Sequence, residues 1–281
     1  LAGCCMGGII WLASYPKSGN TWLRAFLHNL LRNPAQPAEI NQLDQFCLGD
    51  SQAHWYAHVA QGRKPIDMAV EEVAALRPLV HQAFTEAHPD TVFAKTHNLL
   101  GEAHGVPLVS MAHTLGAIYI MRNPLDMVIS LADHFGLSLD DAIAMLADPN
   151  AGTPSTEASA FEFYGTWSQH VASWTAAENE RLIYLRYEDM SAKPQRTFRR
   201  AAEFLGLQPP KARLDKAIRF SSFKVLRAQE VKGGFRERSA NSKAFFRSGK
   251  SGQWPSVLST AQVDAVVAAH HEQMKRFGYL P

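Results

Sequence analysis

The segment Tyr15-Pro16-Lys17-Ser18-Gly19-Asn20-Thr21-Trp22 brings together the residue types that an oxyanion site needs. Lys17 supplies charge, Gly19 allows close backbone approach, and Ser18, Asn20 and Thr21 add donors. The segment joins an apolar, β-favouring run to a helically spaced one, where backbone N–H groups and the helix dipole already favour an anion. On spacing alone, a strand-to-helix turn with a solvated lysine fits equally well, because one glycine loop is a weak signal. Arg122 and Ser130 form a second candidate, bracketing the end of another apolar run and the second turn of the following helix. An arginine and a hydroxyl suit a terminal phosphate. Taken singly, they are better explained by a helix with Asp126 paired to a neighbouring arginine and Ser130 merely buried. His97, directly after Lys95 and Thr96 at the end of a third run, can serve as a general base near neutral pH. Among 12 histidines, its place beside Lys95 sets it apart.

Two further patterns fail on context. Ala244-Phe245-Phe246-Arg247-Ser248-Gly249-Lys250-Ser251 nearly satisfies Walker A, with Ala for the first Gly. It follows a polar basic stretch and runs into Gly252-Gln253-Trp254-Pro255, however, so it does not lead from a strand into a helix. His270-His271-Glu272 lacks the HExxH spacing and a third ligand, and reads as a helix surface.

The elements that must position these residues follow from periodicity. The apolar, β-favouring run from Gly7 to Ser14 predicts a buried strand, and Leu23, Phe26, Leu27, Leu30 and Leu31 predict a helix stopped by Asn33-Pro34. Residues up to about 65 lack a clean period and read as loops with short helices. Residues 67 to 88 are helical, ended by His88-Pro89, and Thr91 to Lys95 is a short buried strand. Ala117 to Met121 is another, broken by Arg122-Asn123-Pro124 before a helix. A helix from about Leu139 ends at Pro149, and Asn150 to Ala158 reads as a mobile loop. A long helix through Trp167 and Trp174 leads to a fourth strand, Leu182 to Tyr187. Helices then run to about Leu205 and from Pro209-Pro210 to near Val231. Residues 232 to 256 form a basic, glycine-containing loop, and Thr260 to Phe277 is helical with Val263, Val266, Val267 and Met274 inward. Strands alternating with helices predict an α/β fold, a central parallel sheet flanked by helices.

With 28 Lys plus Arg against 26 Asp plus Glu, the net charge of +2 gives no general attraction to nucleic acid or to an anionic membrane. Any basic site must be local. At 281 residues the expectation is one domain spanning 1–281. No apolar stretch approaches the ~18 residues needed to span a bilayer. Cys4, Cys5 and Cys47 have no zinc-ligand spacing and cannot staple a chain of this size, which fits a reducing cytoplasm. Leu1-Ala2-Gly3-Cys4 looks like a lipoprotein cleavage box, but no basic or apolar signal region precedes it, and it reads as a processed end.

Taken in order, these stretches resemble the sulfotransferases that use 3′-phosphoadenosine 5′-phosphosulfate (PAPS), in the branch of cytosolic and bacterial small-molecule enzymes that includes natural-product modifiers. Tyr15 to Trp22 is similar to the family's 5′-phosphosulfate loop, Lys95-Thr96-His97 to its catalytic histidine segment, and Arg122 to Ser130 to its 3′-phosphate motif. Tyr187-Glu188-Asp189-Met190, Ser221-Ser222-Phe223 and Phe246-Arg247-Ser248-Gly249 through Trp254 resemble later landmarks. The resemblance implies a P-loop-like sulfotransferase fold, with Lys17 on the bridging oxygen and 5′-phosphate and Ser18, Gly19, Asn20 and Thr21 around that phosphate. It further implies Trp22 and Phe223 stacked on adenine, Tyr187 and Ser221 nearby, and Arg122, Ser130, Arg247, Ser248 and Gly249 at the 3′-phosphate. His97 would be the base, assisted by Lys17 and Lys95, with no metal required and 3′-phosphoadenosine 5′-phosphate (PAP) as product.

The chain departs from the pattern in four places, one being Asn20 in place of the commoner threonine, a change also seen in bacterial relatives that modify natural products. Arg247-Ser248-Gly249 stands where Arg-Lys-Gly is usual, which leaves Lys250 or Lys243 to replace the missing cation. Gln253 stands for the aspartate of Gly-Asp-Trp, and Asn98-Leu99-Leu100 follows the histidine in place of Leu-Pro. A nucleotide kinase or hydrolase is the competing reading, and a non-catalytic nucleotide-binding or assembly module a third. The expected acceptor is an apolar or phenolic small molecule. Trp55, Tyr56, Phe135, Phe161, Phe163 and Tyr164 are candidates to line its pocket, with core packing an equal explanation. The C-terminal dimer motif is not clear around Ser256 to Val267, so monomer and homodimer both stay open.

Overall fold

Ile9–Ser14 occupies the middle of a five-stranded sheet, and its side chains divide between two hydrophobic cores by strict alternation. Ile9, Trp11 and Ala13 enter one core with Ala117, Tyr119 and Met121, while Leu12 enters the other with Ile118 and Ile120. Burial on both faces explains why these strands read as unbroken apolar runs. The computed structural model describes residues 7–88, 90–176 and 179–281. Cys4, Cys5 and Pro89 lie outside the described residues. The strand order is Cys47–Gly49, Val92–Thr96, Ile9–Ser14, Thr114–Met121 and Leu182–Arg186, with every pairing parallel.

Helices cover both faces. Asn20–Arg32, Pro194–Phe204 and Lys211–Phe220 pack over Leu12, Ile118 and Ile120. Val70–Ala87, Pro124–Phe135, Leu139–Ala147, Trp167–Thr175 and Thr260–Phe277 cover the other side. The order of strands reverses at Ile9–Ser14, which is flanked by two later strands. Its register sets Ala13 beside Thr96 and Ser14 beside Ile120. Chain segments leaving three adjacent strand ends therefore meet above the sheet at a topological switch point.

The structure differs from the sequence reading at several elements. Cys47–Gly49 is a three-residue edge strand, too short to show a period, in a region read as loops and short helices. Gly152–Thr153 pairs antiparallel with Glu162–Phe163, and Ser159 bridges to Gln52, so the stretch read as a mobile loop is a hairpin fastened to the body. The long helix expected through Trp167 spans Trp167–Thr175, and Tyr187 opens the helix Tyr187–Ala192 instead of ending a strand. His270 is 1% exposed and bonded through Nδ1 to Ser168 Oγ at 3.0 Å, so only His271 of that pair belongs to the helix surface. Cys47 is a buried free thiol.

Ile118 is fully buried in the strand next to the centre. Ile118→Ala should therefore cost about 2–5 kcal/mol, measured as a lower urea midpoint with an unchanged slope.

Candidate active site

Gly19 turns the chain from the first strand into its helix with a φ of 106°, and a Cβ there would lie 2.7 Å from the Tyr187 ring. Lys17 also takes a positive φ, 67°, which carries its side chain over the strand ends. On the neighbouring strand Asn123 caps the next helix by accepting the Leu125 N–H, with Pro124 at its first position, so that Arg122 stands at the strand's end. Together with the basic loop, these turns enclose a cavity of about 450 Å³.

Most of the expected residues border that cavity: Lys17, Gly19, Asn20, Thr21, Trp22, Lys95, His97, Arg122, Ser130, Tyr187, Phe223, Arg247, Ser248 and Gly249. Two do not. Ser18 is 1% exposed and its hydroxyl donates to Met127 Sδ at 3.3 Å. Ser221 is fully buried with its hydroxyl on the Ala217 carbonyl at 2.9 Å. Residue type at a loop position could not reveal that either side chain turns into the core. Neither Lys250 nor Lys243, expected to replace a missing cation, borders the cavity; Lys250 contributes its carbonyl oxygen to Arg122.

Arg122 lies over the Tyr187 ring, 4.4 Å from guanidinium carbon to centroid, and its Nη1 donates to the Lys17 carbonyl at 3.1 Å. Its buried Nε and the buried Asn20 Oδ1 have no partner among the described residues. Asn20 Nδ2 donates to the Leu12 carbonyl at 2.7 Å, which fixes the loop to its strand. Asp126, read singly as an arginine partner, accepts the backbone N–H groups of Gly252, Gln253 and Trp254 instead. This carboxylate docks the end of the basic loop on the Arg122 helix. Gly249, at φ 65°, packs so closely on Phe223 that any Cβ would collide with the ring.

His97 Nδ1 lies 2.8 Å from the Ser14 carbonyl oxygen. A carbonyl can only accept, so Nδ1 carries the proton and Nε2 keeps a free lone pair. Burial, reinforced by Lys95, holds the ring well below its usual pKa and therefore neutral. Its own carbonyl accepts from His170 Nε2 at 3.0 Å, and the Tyr119 hydroxyl fixes the His170 tautomer through Nδ1 at 3.0 Å. Lys17 Nζ rests 3.9 Å from the Phe245 ring centroid and 3.5 Å from His134 Nδ1. Burial, with Lys95 and Arg122 nearby, lowers its pKa to about 8.

Sequence reasoning missed the counter-charge. Glu237, from the basic loop, receives Arg24 Nη1 at 2.8 Å and Nη2 at 2.6 Å, and Lys95 Nζ lies 3.7 Å away. Burial alone would raise its carboxyl pKa, but Arg24 and Lys95 hold it well below the usual range. Arg24 and Glu237 are 213 positions apart, so no local signal could pair them. The wall further includes Phe135, Tyr164, Phe245 and Phe246 with His134, Thr153, Thr156, Ser159 and Glu162. Of the aromatics proposed from sequence, Phe135 and Tyr164 border this cavity; Phe161 and Phe163 border an adjoining one that shares Thr153, Pro154 and Glu162 with it, Tyr56 is in the core, and Trp55 packs against that core. Among the described residues no group of three or more His, Cys, Asp or Glu could hold a metal ion, and no helix is long and apolar enough to cross a membrane.

The chain belongs to the sulfotransferase family, whose domain matches residues 9–278. It is 25% identical over 274 residues to Sulfotransferase 1A1 of Rattus norvegicus, covering 94% of this chain and 83% of the relative. It is 27% identical over 290 residues to Cytosolic sulfotransferase 16 of Arabidopsis thaliana, covering 96% and 77%. The fold is shared with a mouse sulfotransferase solved in complex with PAP, at a TM-score of 0.61 and 20% identity over 95% of this chain and 84% of that one. It is also shared with retinol dehydratase in complex with androsterone and inactive cofactor PAP, at a TM-score of 0.65 and 16% identity over 95% and 80%. The Walker-like stretch 244–251 lies in bends and irregular backbone with no strand before it, as its context foretold.

Glu237→Gln leaves the Arg24 guanidinium, 2% exposed, without a counter-charge and should destabilise the protein by about 3 kcal/mol at neutral pH. A carboxyl whose pKa is depressed by folding stabilises above its unfolded value, 4.5, and loses that contribution as pH falls towards the folded one. Urea titrations at neutral pH and at progressively lower pH should thus show the gap between variant and wild type closing in acid.

Proposed function

We propose that the protein transfers the sulfuryl group of PAPS to a hydroxyl or amine of a small-molecule acceptor, with His97 as general base. The observation that carries this reading is that one cavity joins a neutral histidine with free Nε2 to Lys17, Lys95, Arg122 and Arg247. The donor set fits the nucleotide: the phosphate loop with Lys17 suits the 5′ end, Arg122, Ser130, Arg247 and Gly249 suit a second phosphate, and Trp22, Phe223 and Tyr187 offer aromatic surface for adenine. When bound, PAPS supplies an activated sulfuryl group whose in-line transfer disperses negative charge over its oxygens, much as phosphoryl transfer does.

The chain's own residues then have separable tasks. His97 Nε2 accepts the acceptor's proton, and the Ser14 carbonyl keeps the ring in the tautomer that can do so. Lys17 and Lys95 stabilise the charge that develops between donor and acceptor. The cavity excludes competing water by covering these groups with Phe245, Phe246 and the 152–163 hairpin. Because Thr153, Thr156, Ser159 and Glu162 share the wall with the aromatics, the acceptor combines an apolar body with polar groups, more than an apolar or phenolic skeleton alone. The reading takes 1–281 as one sulfotransferase domain working in the cytoplasm.

Calorimetric titration should give micromolar binding of PAP and none of ATP, and His97→Ala should keep that binding while losing most turnover with PAPS. A preference for ATP, or undiminished turnover in the variant, refutes the assignment. Free Lys17 loses its charge as pH rises through about 8. PAP affinity should therefore be level below that pH and decline above it, whereas Lys17→Arg should flatten the decline.

A further inference from the structure

Asp50 is fully buried at the end of the edge strand Cys47–Gly49, outside the cavity and unused by the chemistry above. Its contacts converge on the three residues around the histidine. Its backbone N–H donates to the Lys95 carbonyl at 3.1 Å. Its Oδ2 accepts the Thr96 hydroxyl at 2.7 Å and Asn98 Nδ2 at 2.9 Å. The Arg77 guanidinium, 1% exposed, is its buried counter-ion at 3.5 Å.

The same groups also hold the hairpin that walls the cavity. Arg77 Nη2 donates to the Phe161 carbonyl at 2.8 Å, and Asn98 Oδ1 accepts the Phe163 N–H at 2.7 Å. The residues following Asp50 extend the attachment. The Ser51 carbonyl accepts the Ala160 N–H at 2.7 Å, Ser51 Oγ donates to Glu162 Oε1 at 3.1 Å, and the Ala53 N–H donates to the Ala158 carbonyl at 3.0 Å. Phe161 and Phe163 flank Glu162, which faces the cavity together with Tyr164. Asn98 is the residue that stands where the family resemblance expects leucine, and it is fully buried with both ends of its amide engaged.

We propose that Asp50 is a positioning residue: one buried carboxylate, acting through Asn98 and Arg77, sets the His97 segment and the acceptor-facing hairpin 152–163 in a fixed relation, so that acceptor and base meet in register. The proposal rests on the function inferred above for His97. It follows from connectivity, because the hydrogen bonds that orient the segment before and after the base end on the same atom that, through two further side chains, orients the opposing wall. A misplacement of about 1 Å between reacting groups can cost about a hundredfold in rate, so this link bears on turnover and on acceptor binding while leaving the donor loop alone.

Asp50→Asn and Asn98→Ala test it. Hydrogen exchange by mass spectrometry should show peptides covering 94–99 and 158–164 losing protection together in either variant, with 15–22 unchanged. PAP affinity should stay within twofold of wild type. With PAPS and the best acceptor from a screen of phenols, alcohols and amines, kcat should fall at least tenfold and acceptor KM rise. Loosening of one segment without the other, a loss of PAP affinity equal to the loss of kcat, or kcat and KM within twofold of wild type would overturn the proposal. Should Asp50→Asn fail to fold, Asn98→Ala, which spares the Arg77–Asp50 pair, decides by the same readouts. If wild type transfers no sulfuryl group to any acceptor, the proposed function fails, and the exchange data still decide whether the two segments are coupled.

Discussion

Positive charge gathered at the ends of three adjacent strands is the constraint that the rest of the site answers. Lys17, Lys95 and Arg122 border one cavity and buried Arg24 lies beside it, and burial and mutual repulsion oppose their charge; Lys17 already falls to about 8. Glu237 relieves the repulsion. Its carboxylate is held by both terminal nitrogens of Arg24 and faces Lys95, so it supplies counter-charge beside the cations without occupying the loop that would hold the 5′-phosphosulfate. Since Glu237 belongs to the basic loop, the same ion pair ties that loop to the helix Asn20–Arg32, and the Glu230 carboxylate accepts the Phe245 and Phe246 N–H groups at 2.6 and 2.9 Å where those residues border the cavity. Asp126 fastens the other end of that loop through three backbone N–H groups. Glu237, Asp126 and Glu230, with Asp133 on the Ser242 hydroxyl, thus hold a loop whose other charged residues are basic.

His97, the proposed base, depends on a different kind of interaction. His97 is kept neutral by burial and kept in one tautomer by a backbone carbonyl of the central strand, so its reactive nitrogen is set by the sheet's own geometry. Because Ser14 and His97 leave neighbouring parallel strands in register, the hydrogen bond between them is a consequence of strand pairing. His170, Tyr119 and Trp174 complete the support from the face covered by Trp167–Thr175: Trp174 donates its indole N–H to the Asn98 carbonyl at 3.1 Å. The end of the cavity proposed for the donor is built from turns, and the end proposed for the acceptor is backed by side-chain hydrogen bonds that meet at Asp50.

Sequence by itself determined the parts governed by local rules. Apolar runs bounded by Gly, Asn and Pro gave four of the five sheet strands and the main helices, because a strand buried on both faces and a capped amphipathic helix each leave a short-range signature. Lys17, His97 and Arg122 were legible because chemistry-bearing residues at strand ends of a parallel sheet can reach one edge. The strand Cys47–Gly49 was not legible, since three residues carry no period, and neither was the 152–163 hairpin, whose pairing joins residues with no local pattern of their own. Tertiary structure alone decided which polar side chains face the cavity: Ser18 and Ser221 turn inward, while Arg24 meets Glu237 and Asp50 meets Asn98 across long sequence separations. The physical reason is that a hydrogen bond or ion pair depends on distance in space. A chain records that distance locally only within a turn, a helix or a strand.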